Sequence, residues 1–108
     1  MIDMDAFAAR LGGNDAVMQQ VFEIFQKQYG HNPALIKALV EQGDVQAVFQ
    51  TAHAMKGAFA NMCATEDALA AENVEKPARA GQMPDAESVD ILVRSVESVA
   101  EQISSQKS

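Results

Sequence analysis

"DVQAVFQTAHAMKGAFANM", residues 44–62, decides what kind of fold this chain adopts. Apolar or small residues stand at Val45, Val48, Ala52, Met55, Phe59 and Met62, in alternating steps of three and four. Such steps trace one face of an α-helix and not the two-residue alternation of a half-buried strand. Asp44 heads the stretch as an N-cap, because its carboxylate can accept an amide from the first turn. The reading is a long amphipathic helix whose seam faces a core.

The neighbouring segments repeat the pattern. Toward the N-terminus, "PALIKALVEQG" carries Leu35, Ile36, Leu39 and Val40 and stops at Gly43, and "GHNP" separates it from an earlier helix at Pro33. That earlier helix lines up Met18, Val21, Phe22, Phe25 and Tyr29 behind a cap at Asn14 or Asp15. A short first helix opens after Asp3 and closes at Gly12 and Gly13. Toward the C-terminus, Thr65 is the expected cap of a helix with Leu69, Val74 and Ala78 inward, stopped by "ARAGQMP". A last seam runs through Val89, Leu92, Val96, Val99 and Ile103 into a polar tail at about 104–108.

No strand signal interrupts these segments, so the fold class is all-α. Short connections between long helices favour an antiparallel up-down four-helix bundle, with one or two short additional helices at the N-terminal end. At 108 residues the expectation is a single domain spanning 1–108.

Composition narrows the function. Fifteen acidic against eight basic residues give a charge of −7, which repels nucleic acid and anionic lipid and leaves proteins as the expected partners. The same charge also serves plain solubility. No stretch of about 18 apolar residues is present, so no membrane span is expected. With no signal-peptide pattern in "MIDMDAF" and one cysteine, Cys63, the expected location is the cytoplasm.

The solvent side of residues 44–62 carries the chemistry. At about 100° per residue, His53 lies roughly 130° from the seam and faces outward. Gln46, Gln50, Gly57, Asn61 and Ala64 share that side, with Phe49, Lys56 and Ala60 on its shoulder. Gly57 should cost about 1 kcal/mol relative to alanine in a helix interior, so it calls for a reason such as close approach by another body. Lys56, three residues after His53, is within reach of an anion on the ring. A neutral imidazole is a good nucleophile near pH 7, and its N–P bond is labile enough to pass a phosphoryl group onward. An open helix face is poorly suited to excluding water, so a partner must bring the remaining catalytic groups.

Other chemistries fit less well. His53 has no histidine or acid four residues on, and Cys63 lies elsewhere on the helix, so no metal site is expected. Cys63 also lacks a neighbouring base. His31, in the "GHNP" break, has no cation or carboxylate at helical spacing and reads as a loop or capping residue. The methionines are mostly seam residues. No phosphate-cradling Gly-rich loop is present, so the chain is not expected to use ATP by itself.

"AHAMKGAFANMCA" at 52–64 resembles the signature of histidine-containing phosphotransfer (HPt) domains, a histidine with lysine at +3 and glycine at +4. The likeness extends through "LGGNDAVMQQVFEIF", "LVEQGDVQAVFQTAH" and "ATEDALAAENVEKPARAG", in that order along the chain. The resemblance implies a bacterial phosphoryl carrier, not an enzyme, that takes the group from a receiver aspartate or a sensor histidine kinase and relays it to a receiver. His53 would be the acceptor, Lys56 the phosphate-side cation and Gly57 the clearance residue. Glu75, with Glu72 as second candidate, would orient the imidazole from the following helix. Phe49, Gln50, Ala60, Asn61 and Ala64 would form the docking face of a monomer that needs no cofactor, the Mg²⁺ residing on the receiver.

Two departures stand out. Cys63 occupies a place where the family often has glycine, and Pro77 falls where relatives usually continue a helix, so it is expected to kink or end that helix. A phosphoryl-accepting module of a larger chemotaxis-type kinase is one alternative reading. The other is a non-phosphorylated helical adaptor that binds a receiver or kinase through the same face.

Overall fold

A computed structural model describes residues 1–106, and these form six helices with no strand among them. They are α1 (Met4–Arg10), α2 (Asp15–Tyr29), α3 (Asn32–Gln42), α4 (Val45–Asn61), α5 (Thr65–Arg79) and α6 (Ala86–Gln106). Helix starts follow the capping chemistry. Asp3, Asn14 and Asp44 each accept an amide hydrogen bond three residues on, at 3.1 Å, and Asp85 does the same for α6 at 2.7 Å. Each such cap stabilises its helix by about 1 kcal/mol.

The seams meet in one core. Phe22, Met55, Phe59, Leu92, Val99 and Ile103 are fully buried, and Phe25 packs on Phe59 with ring centroids 5.8 Å apart. Contacts close a ring from α3 to α4 to α5 to α6 and back to α3, with α2 lying against α6. The most extensive interface is that of α4 with α5. These two run antiparallel: His53 meets Glu75, while Phe49, one turn farther from their connection, meets Arg79, one turn farther along α5. Ala70, Ala71, Val74 and Ala78 give α5 a narrow buried face, small enough for the α4 backbone to come close.

Several expectations need correction. Leu69 and Leu35 are 55% and 45% exposed. The alanine face of α5 sets its rotation and carries Leu69 out of the core, and Ile36 is the apolar side chain that α3 buries. Thr65 is the first residue of α5 and not its cap; Ala64 holds that place without a side-chain hydrogen bond. Glu66 and Asp67 lie beside the open amides of the first turn, where negative charge is favoured. Pro77 does not end α5, which continues to Arg79. It forgoes only its own bond to the Asn73 carbonyl, two residues before the helix ends, and Gly81 at φ 82° then closes the helix through Gln82 N–H to Pro77 O at 2.9 Å. The expected tail at 104–108 is helical as far as Gln106, held by buried Ile103 and by Ser105, whose hydroxyl donates to the Glu101 carbonyl. Positions 107 and 108 lie outside the described residues.

Cys63 makes the α4–α5 reversal. Its φ is 57°, the one positive φ among the described non-glycine residues. Cys63 N–H donates to Ala60 O at 3.1 Å, and Ala64 N–H to Phe59 O at 2.9 Å, the paired bonds of a Schellman motif. A Cβ in left-handed backbone costs roughly 1–2 kcal/mol, which glycine avoids. Cys63→Gly is therefore expected to stabilise the fold by about 1 kcal/mol, read as a higher urea midpoint. An unchanged or lower midpoint would mean that the lost side-chain packing outweighs the relieved backbone.

Candidate functional site

His53 rides the outward face of α4 between buried Ala52 and Met55, with 59% of its side chain exposed. The ring is held on two sides. Phe49, half-buried one turn earlier, stacks on it with centroids 5.8 Å apart and planes 25° apart. Its Nδ1 donates to Glu75 Oε1 at 2.9 Å, across the α4–α5 interface.

Glu75 is 1% exposed, which an unpaired carboxylate does not tolerate. It is surrounded by positive groups. Arg79 Nη2 donates to Oε1 at 2.6 Å and Lys56 Nζ at 3.3 Å. Oε2 lies 3.0 Å from Lys56 Nζ but out of line for a hydrogen bond, so that contact is purely ionic. Burial alone would raise the carboxyl's pKa. The hydrogen bonds and positive charge of His53 and Lys56 outweigh it and hold the group below its ordinary value.

This fixes the imidazole's chemistry. An ionised carboxylate only accepts, so Nδ1 must carry the hydrogen. In the neutral ring the lone pair is then on Nε2, which has no protein partner among the described residues. The result is an exposed nucleophile with a fixed tautomer, backed by a buried anion.

Gly57, one turn after His53, is exposed, and a Cβ built there would meet nothing within 4 Å. No internal packing requires the glycine. Beside it a shallow groove of about 220 Å³ between α2 and α4 is lined by Val21, Phe25, Tyr29, Asn61 and Ile24, the last 52% exposed.

Of the expected docking residues, Gln50, Ala60 and Asn61 are exposed and Phe49 partly so. Ala64 is fully buried and does not belong to the face. Helical phase was carried past its range there: α4 ends at Asn61, and left-handed Cys63 turns the chain inward before residue 64. Glu72 makes no hydrogen bond to His53; Glu75 is the glutamate that reaches it. His31 occupies the N-cap position of α3, exposed and without a side-chain capping bond. No group of three potential metal ligands occurs among the described residues.

Two arginines escaped the sequence reading. Arg79 could have been noticed four residues after Glu75, the spacing of a helical ion pair. Arg10, whose Nη1 donates to the Ala60 and Asn61 carbonyls at 3.0 and 3.1 Å, comes from α1 and leaves no local signal.

The family model of the Hpt domain matches residues 20–104. The chain belongs to the Hpt domain family. Comparison with curated proteins and with solved structures gave no significant match. The Hpt match takes in His53, Lys56, Gly57, Glu75 and Arg79, whereas α1 and Arg10 precede it. Hpt domains are phosphotransfer carriers in general and not enzymes, and membership links this chain to phosphorelay signalling through receivers and kinases. No helix among the described residues is long and apolar enough to cross a membrane.

Glu75 also gives this Hpt chain a pH signature. A carboxyl with a depressed folded-state pKa contributes stability in full above its ordinary value of 4.5 and loses it as pH falls through the lower folded value. The stability difference between the native chain and Glu75→Gln should thus shrink as pH falls below about 4.5. Urea titrations on either side of that pH check it, and a difference that stays level under acid would contradict the ionised assignment.

Proposed function

We propose that this Hpt protein is a phosphorelay intermediate in which His53 accepts and passes on a phosphoryl group. The observation that carries the reading is the Glu75 carboxylate on Nδ1, which leaves the Nε2 lone pair on the open face. In the step from a receiver, Nε2 attacks the phosphorus of an aspartyl phosphate. The N–P bond forms as the acyl O–P bond breaks, and the aspartate leaves as a carboxylate. Return of the group to a second receiver reverses the step. The Mg²⁺ for both belongs to the receiver, together with the catalytic groups this chain lacks. Lys56 balances charge on the phosphoryl oxygens and Gly57 clears the approach.

The partners in this reading are receiver domains and a sensor histidine kinase in a bacterial cytoplasm. They dock on Phe49, Gln50, Ala60, Asn61 and the groove beside Ile24. The domain works as a monomer, its α3–α6 ring an up-down antiparallel four-helix bundle with α1 and α2 added before it. A binding-only adaptor would use the same face, but it would have no need of a buried carboxylate fixing the ring's tautomer.

The test is incubation with a panel of phosphorylated receiver domains and mapping of an acid-labile, base-stable label. Label on His53 supports the carrier; binding without label from any donor would leave the adaptor. Lys56→Ala should retain binding and slow transfer by about tenfold, the loss of one charge-assisted contact to the phosphoryl group. Rapid-quench transfer kinetics check this, and an unchanged rate would remove Lys56 from the mechanism.

A further inference from the structure

Arg79 touches both groups that hold the His53 ring. Its Nη2 is 2.6 Å from Glu75 Oε1, the atom that accepts from Nδ1, and its guanidinium carbon lies 5.6 Å from the centroid of Phe49, which stacks on the imidazole. It is the last residue of α5, and 62% of its side chain is exposed. An isolated exposed ion pair would mean little. This one differs because its acceptor is buried.

Charge counting shows what it does. At rest, Lys56 Nζ lies 3.0 and 3.3 Å from the two Glu75 oxygens, so the lysine is engaged inward. A phosphoryl group on Nε2 brings up to two negative charges to a ring already backed by a carboxylate. Attack through Nε2 leaves the ring cationic while Nδ1 keeps its hydrogen, but Lys56 then has two anions to serve, the phosphoryl group and Glu75, and any turn of it toward the phosphoryl group would take its ammonium away from the buried carboxylate. Removing one partner of a buried pair is strongly unfavourable. Arg79 is the cation that can stay.

We propose that Arg79 is a positioning residue of the His53 site: it keeps Glu75 neutralised and in place, which frees Lys56 to serve the phosphoryl group. This rests on the carrier reading. The guanidinium never contacts the reacting atoms; it acts through Glu75 and, by stacking, through Phe49.

Phosphoramidate is the probe for the test, because a donor this small reports the site without the docking face. It gives its phosphoryl group to Nε2 as its own N–P bond breaks and ammonia leaves, and ³¹P NMR follows the product. Arg79→Gln should slow labelling by about tenfold, and Arg79→Lys should restore it to within about threefold, since charge at this spacing is what matters. In a Glu75→Gln background Arg79→Gln should change the rate by less than about twofold, because no buried anion then needs the arginine. A purely structural role for Arg79 would survive in that background. If Glu75→Gln does not fold, the glutamine and lysine variants at 79 still decide. Labelling of Arg79→Gln as fast as wild type overturns the inference alone, as does an equal loss with Glu75 absent. A wild-type chain that takes no label overturns the carrier reading and the inference with it.

Discussion

His53→Gln takes up no phosphoryl group, a loss of more than about 100-fold from any donor, while helix content and the folding midpoint stay where they were. Two features of the site separate the chemistry from the stability. Nε2 is the only ring nitrogen with a lone pair facing solvent, and a glutamine amide has no comparable nucleophile. Yet the same amide can donate to Glu75 Oε1 in place of Nδ1, so the buried carboxylate keeps its donor as well as Lys56 and Arg79. The ring is more than half exposed, and what remains at stake is its stacking on Phe49. Stability should therefore move by no more than about 0.5 kcal/mol. ³¹P NMR with circular dichroism and a urea melt on one preparation reads both quantities. Residual labelling within tenfold of wild type would place the acceptor elsewhere and end the carrier assignment.

How much of this was legible beforehand depends on how far each feature reaches along the chain. The α4 seam from Val45 to Met62 was readable because a helix repeats its own phase, and the caps at Asp3 and Asp44 because a cap and its amide are three residues apart, while the choice between Asn14 and Asp15 fell to Asn14 only in the structure. His53, Lys56 and Gly57 fall within five consecutive residues of that helix. Glu75 came from resemblance and not from spacing, since the rotation of α5 is set by how closely its alanines pack on α4. The same packing put Leu69 outside. Ala64 was lost because phase says nothing past a helix end, and the left-handed residue that ends α4 is a cysteine, which carries none of glycine's signal. Arg10 acts across 50 positions of sequence, beyond the reach of any local pattern.

Gly57→Leu should make the protein more stable and nearly useless as a relay. With open space around its Cβ position, the substitution meets no internal obstacle, and replacing glycine in a helix interior contributes up to about 1 kcal/mol. A gain in stability from a residue beside the reacting group means that folding did not select the glycine. Function then has to account for it, and the position says how. Residue 57 is one turn from His53 on the same face and borders the groove beside Ile24, so under the proposed relay a receiver delivering its phosphoryl group to Nε2 has to pass over it. A leucine there holds the partner back by more than an ångström. Misplacement on that scale costs about 100-fold in a positioned transfer. Labelling by phosphoramidate needs no docked body and should stay within about threefold of wild type, so the two donors divide clearance from chemistry. Transfer from the receiver at an undiminished rate would mean that the partner approaches from the Phe49 side instead, with Gly57 left as a helix defect without a function.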